Sequence, residues 1–221
     1  MLEYAATVFV TLLVIVDPVA VLPMYLALTQ RQSKEQRRTT AIRAMTVATA
    51  TMLVLAFTGD SLLRLLGIGL PAFRIAGGIL LFLLSIEMVF ARQSGLRSAT
   101  EAEAQEAEDS YDVAVFPLGI PLIAGPGAMT SIILLMGQAS GNIALQAIVI
   151  AVLLVVLALS LATFLFGAPL MDKLGVTGIN VVGRVFGIVL AALATQYVID
   201  GTNDVLADLR SGSDRILTER P

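Results

Sequence analysis

Two dipeptides in this sequence place a helix-breaking proline directly after a residue suited to cap a new helix. They are Asp17-Pro18 and, 108 positions later, Gly125-Pro126. A proline inside a helix removes a backbone donor and clashes with the preceding turn, but at the first position of a new helix its fixed φ fits. Each dipeptide therefore predicts a broken helix and a fresh half-helix, whose first amides and positive dipole end face the break. The chemistry at the two breaks differs. Asp17 brings a carboxylate, which attracts a cation such as an ammonium group or a proton. Gly125 brings no side chain, so the amides that follow it, with Gly127, stay open to an anion such as a substrate carboxylate. Together the two ends suit a small zwitterion, and Asp17 is the candidate for proton coupling. A plain helix cap at Asp17 and close helix packing at Gly125 and Gly127 account for the same residues without a ligand.

Other polar residues fall inside apolar stretches. Arg74, Glu87 and Arg184 are charged, and ionisable groups at membrane depth usually face the protein interior. Arg74 and Glu87 sit near the ends of their segment, where either can snorkel to the interface. Arg184, flanked by Gly183 and Gly187, is expected to point inward. Thr130 and Asn180, with Gln138 and Gln196, are expected to line the same cavity or bridge helices. The expected substrate-binding set is Asp17, Pro18, Arg74, Gly125, Pro126, Gly127, Thr130, Asn180 and Arg184.

The chain has no Cys and no His. Disulfides, thiolate or imidazole metal sites and imidazole bases are thereby excluded, and neither a metal nor a cofactor is expected. An intramembrane serine dyad or zinc protease needs His, and an aspartyl protease needs two facing Asp residues where only Asp17 is central, so no enzyme is expected. A net charge of −3 gives no footprint for nucleic acid.

These residues must be held by something, and composition says by what. Apolar residues make up 57% of 221 positions, charged ones 14%, and mean hydropathy is +0.88. Soluble domains carry about 45–50% apolar and about 25% charged residues, so the excess belongs in a bilayer. Asp17 is the lone charge of a first span near residues 5–29. Residues 44–59 are charge-free and form the second span, and residues 70–90 the third. Residues 113–171 carry no charge, too long for one crossing, and 137–142 is the turn between spans four and five. A sixth span covers residues 180–199. The domains expected are a first repeat at 1–100, an acidic cytoplasmic linker at 101–112, a second repeat at 113–200 and a polar tail at 201–221. The first residues lack the basic n-region of a signal peptide, so the first apolar segment is expected to stay in the protein. Arg31, Lys34, Arg37, Arg38 and Arg43 follow span one, Arg92 and Arg97 span three, and Lys173 span five. This bias places those loops in the cytoplasm and both termini in the periplasm.

The halves also match beyond the two dipeptides. Leu66-Gly67-Ile68 aligns with Leu174-Gly175-Val176 at the same offset, and Arg74-Ile75-Ala76-Gly77 with Asn180-Val181-Val182-Gly183 after a two-residue slip. Three spans per half invert the second relative to the first. The fold expected is an all-α polytopic membrane protein of about six transmembrane helices, arranged as two inverted three-helix repeats with helices one and four broken. Inverted repeats with broken helices recur in secondary transporters.

Four segments carry a family likeness: Asp17-Pro18 with Pro23, Arg74 to Leu80, Pro121 to Thr130, and Gly183-Arg184-Val185-Phe186-Gly187. Together they resemble the MarC family of integral membrane proteins, across essentially the whole chain. The resemblance implies a bacterial inner-membrane location and transport of small neutral amino acids with proton coupling. Ala20 departs from the family's usual glycine, and Asp17 from its frequent asparagine, which puts substrate range and coupling in question. The function expected is proton-coupled secondary transport of small neutral amino acids or similar zwitterions. The alternative is an exporter of another small polar metabolite or drug, or a channel-like pore. Expected partners are the lipid bilayer, the zwitterion and the proton, with homo-oligomerisation left open.

Overall fold

The computed structural model describes residues 1–91 and 113–218, so the acidic linker at 101–112 lies outside the described residues. Among the described residues eight helical elements follow one another: α1 Leu2–Val16, α2 Pro18–Leu28, α3 Lys34–Leu65, α4 Leu70–Phe90, α5 Ala114–Ile123, α6 Pro126–Gln138, α7 Ile143–Phe166 and α8 Ala168–Thr218. No strand occurs among the described residues. Among the described residues five spans are long and apolar enough to cross a membrane: Leu2–Leu28 (α1 with α2), α3, α4, α7 and Thr177–Ala207 within α8. The bent pair α5–α6 makes a sixth. In chain order these are spans one to six. The chain is thus an all-helical multi-pass membrane protein, because only helices or closed barrels satisfy the backbone inside hydrocarbon.

Boundaries follow local chemistry. Ser33 caps α3 in a reciprocal box with Gln36, and Asn142 caps α7 through the amides of Ala144 and Leu145. The turn expected at 137–142 falls between α6 and α7. The second span runs longer than its charge-free heart, because the charged residues 34–43 are already helical. Likewise the tail expected after span six continues as helix to Thr218. Gly67 (φ 71) ends α3 and Gly175 (φ 62) kinks α8, both in the left-handed region and 108 positions apart.

Most residues of span four are buried in α5 and α6; among the other five spans, span one is the most enclosed, with 56% of its most apolar window buried, and span six the least, at 22%. Spans one and four therefore stand at the centre and span six at the rim, in contact with lipid. Val54, Phe57, Ile79, Phe82, Val155, Val185 and Ile188 are exposed, which is a stable arrangement only in an apolar solvent. Between α4 and α8, small residues set the distance. A Cβ on Gly78 would stand 2.8 Å from the Ala194 oxygen, on Gly187 2.9 Å from the Met88 Cβ, and on Gly201 2.9 Å from the Pro71 oxygen. The two helices run antiparallel with their backbones nearly touching, the close approach that small residues permit in membranes. Elsewhere α3 packs on α5 and α6, and α7 packs on α1 and α2. The Tyr25 ring stacks on Phe164 at 4.7 Å, fastening α2 to α7. Two buried hydroxyls bond back within their own spans, Thr29 to the Tyr25 carbonyl and Ser160 to that of Val156.

Candidate functional site

The first break spans one residue. Asp17 adopts the left-handed conformation (φ 44, ψ 68), ending α1 and capping α2, with Pro18 as the first residue of the new helix. Its amide donates to the Leu13 carbonyl at 2.9 Å, its carbonyl accepts from Val21 at 3.2 Å, and its carboxylate Oδ1 accepts from Ala20 at 3.2 Å. The side chain is fully buried. The backbone therefore passes the break with little lost bonding, at the cost of a strained φ for a non-glycine residue.

The second break is wider. Pro117 and Pro121 follow cis peptide bonds, and Phe116 and Ile120 are extended inside α5. Gly125 then caps α6 with Pro126 at its first position, and the two helical pieces meet at 59°. Met129 donates to the Gly125 carbonyl at 2.9 Å. No side chain caps the amides of Gly127 and Ala128, which are the orphan donors of a helix start.

A narrow cleft with about 20 Å³ of free room, partly open to the outside, borders this second break. Gly125, Pro126, Gly127 and Ala128 line it together with Ile15, Leu80, Leu84, Leu122 and Ile123. The helix dipole and two orphan amides thus end in a largely apolar pocket, an environment that favours an anionic group. Gly127 sets the width, since a Cβ there would stand 2.8 Å from Leu81 and 3.6 Å from Ile15.

Of the residues expected to bind substrate, Gly125, Pro126 and Gly127 line the cleft. Asp17 and Pro18 do not, although Ile15, two positions earlier, forms part of its wall. Thr130 lies one turn further along α6, buried against Gly77, where an added Cβ would collide with the Thr130 methyl. Arg74 sits near the start of α4 and bonds to Asp204 at 2.7 Å, away from the cleft. Asn180 and Arg184 are exposed on α8. The inward orientation expected for Arg184 is thereby corrected: the rim position of α8 leaves an outer face, and Val181, Val185 and Ile188 share it. The sequence reading missed Ile15, Leu80, Leu84, Leu122 and Ile123 as cleft walls. Leu80, Leu122, Ile123 and Ala128 stand in segments that carry the family likeness, but as ordinary apolar residues none of these walls was marked as a binding residue.

Residues 2–206 match the model described as MarC family integral membrane protein. The chain belongs to the MarC family. Its relatives include a UPF0056 membrane protein of Aquifex aeolicus, 37% identical over 90% of this chain and 92% of the relative. Another UPF0056 membrane protein, from Archaeoglobus fulgidus, is 35% identical over 91% and 93%. YhcE of Escherichia coli, also a UPF0056 membrane protein, is 30% identical over 91% and 93%. No solved structure matches the chain. The MarC match spans both breaks and all six spans, so the site belongs to the whole family-length chain rather than to an appended segment.

Proposed function

We infer that this MarC family protein is a secondary carrier of small neutral amino acids or similar zwitterions, coupled to protons, and not an enzyme. The observation that carries the reading is the pairing of two half-helix starts of unlike character. One holds a buried acid at Asp17, and the other holds uncapped amides at Gly127 and Ala128 facing a cleft. A carboxylate suits the amides, and Asp17 is the group to accept and release the proton. The walls of the cleft, apart from the break itself, are apolar, and Gly127 holds it narrow, so the broken spans have to part for a substrate to enter.

The reading treats the halves as inverted repeats. Support comes from Pro18 and Pro126 as matching helix starts and from Gly67 and Gly175 as matching left-handed glycines, both pairs 108 positions apart. The packing agrees: α4 meets α6 as α8 meets α2, and α3 meets α6 as α7 meets α2. Alternating exposure of a central site between two such halves is a recognised route to coupled transport. The lysine and arginine bias of the loops supports insertion in the bacterial inner membrane with both termini periplasmic.

The test is uptake of labelled glycine and alanine into proteoliposomes, with and without a pH gradient, by the wild type and Asp17→Asn. Saturable uptake driven by the gradient, with the drive lost in the variant, is the expected result. Uptake that stays linear with concentration and shows no counterflow would replace the carrier with a channel-like pore. No uptake under any gradient would remove amino acids as the cargo.

A further inference from the structure

The outward face of α8 carries one charge at a depth where charge is expensive. Arg184 is exposed, and among the described residues it takes part in no ion pair. Val181, Val185 and Ile188 are exposed beside it, so what touches this face is lipid. Its level follows from how α8 packs on α4. A Cβ on Gly187 would stand 2.9 Å from the Met88 Cβ and 3.0 Å from the Val89 amide nitrogen. The helices are antiparallel, so Arg184, just before Gly187, is level with the last residues of α4, which ends at Phe90. Span six begins at Thr177, and the helix from there to Arg184 is about 10 Å long. Side chains lean toward the N-terminus of their helix, which in α8 is the nearer membrane surface. A long arginine side chain that starts at this depth reaches the headgroup layer.

Its neighbours make this more than an arginine that snorkels to water. Asn180 is exposed one turn nearer the surface, and residues four apart share a helix face. Val181, Val185 and Ile188 continue that face inward as an apolar ridge. A polar pair above and an apolar ridge below match the order of groups in a phospholipid. The same end of the bundle holds the exposed Arg31, Lys34 and Arg38, because successive spans alternate in direction. Cations gathered at one membrane surface draw anionic lipids to it. A second copy of the chain is a poorer occupant. A two-fold axis normal to the membrane would set Arg184 near its own counterpart, like charge on like.

We propose that Asn180 and Arg184 bind the phosphate of an anionic membrane phospholipid, whose acyl chain lies along Val181, Val185 and Ile188. The guanidinium offers the phosphate two parallel N–H donors. The Asn180 amide adds a donor for a neighbouring oxygen of the phosphate or the glycerol. Span six, at the rim, thereby gains a fixed partner on its open side. The site is independent of what the cleft carries.

The unfolding temperature in detergent, titrated with dioctanoyl phosphatidylglycerol, reads the site. The wild type should be stabilised at lower concentrations of this lipid than of dioctanoyl phosphatidylcholine. Arg184→Gln should raise the half-saturating concentration of phosphatidylglycerol about tenfold, the scale of one charged hydrogen-bonding contact, and Asn180→Ala about threefold. Arg184→Lys keeps the charge without the paired donors and should fall between the wild type and Arg184→Gln. Native mass spectrometry, which does not depend on the stability of a variant, should show less phosphatidylglycerol retained by Arg184→Gln. An equal response to the two lipids, or no change in Arg184→Gln by either readout, overturns the site. An equal loss in Arg38→Gln overturns it too, leaving only diffuse attraction to the basic end. Glycerol phosphate as effective as the lipid would make this a site for free phosphate, and dimers lost in Arg184→Gln would make it a contact between copies. Either result overturns the lipid.

Discussion

Span one crosses its break through a single residue, with Asp17 using its amide, carbonyl and carboxylate to bond the turns on either side, so that Leu2–Leu28 still reads as one span. Span four crosses its break with two extended residues, a bare glycine cap and a 59° bend. Both begin the new helix with proline, and the difference lies in who satisfies the amides behind it. A residue that caps with its own side chain closes the break and leaves only its acid to offer. A glycine cap leaves the amides to a ligand, and the bend makes room for one. Two similar breaks can therefore divide a task, one handling a proton and the other an anion.

The sharpest way to test that division is to fill the second break. Gly127→Val puts a branched side chain where even a Cβ would stand only 2.8 Å from Leu81. Uptake should fall to background, about 100-fold or more, since overpacking of 1–3 kcal/mol here is borne by the cleft itself. The counterpart position 108 residues earlier is Val19, which already carries a side chain, and Val19→Leu should leave uptake within about twofold of wild type. Equal loss at both positions in labelled-glycine uptake would erase the distinction between the breaks.

Next in size is the acid. Asparagine caps helices about as well as aspartate, so Asp17→Asn should unfold at nearly the wild-type temperature while losing roughly tenfold in gradient-driven uptake. Exchange of labelled for unlabelled glycine without a gradient should survive in this variant. A variant that loses exchange as well would make Asp17 part of the anion site after all.

Stability separates the two caps further. At Gly125 a Cβ would press to 2.7 Å from the Pro121 carbonyl oxygen, so Gly125→Ala should cost about 1–3 kcal/mol in thermal unfolding. Asp17→Gly should cost only a few tenths of a kcal/mol, because glycine accepts the left-handed φ of 44 and is itself a tolerable cap. A large loss from Asp17→Gly and none from Gly125→Ala would reverse the assignment of open and closed breaks.

Much of this was legible from residue types alone. Charge-free lengths located the spans, and proline after a capping residue located both half-helix starts, because these are local rules of backbone chemistry. Orientation was not legible. A soluble helix shows its inner face by contrast with a polar outer one, but in a bilayer lipid and protein interior are both apolar, so sequence cannot tell which way Arg184 or Asn180 turns. The partnership of Arg74 with Asp204 was equally hidden, since 130 residues separate them. Nor could the two breaks be ranked by bend, since the path of α5 is set by packing against α3, where Val47 stands beside Gly119.

The seam of Gly78, Gly187 and Gly201 sets a mechanical condition on all of this. Helices whose backbones touch cannot slide or roll past one another without steric collision, so α4 and α8 act as a single stiff girder linking the two halves of the chain. Any rearrangement that opens one end and closes the other has to be a swing of the broken spans against that girder. A methyl group added at Gly78 should therefore behave as a spacer in a hinge plate, altering how far the swing can travel before it alters what is carried.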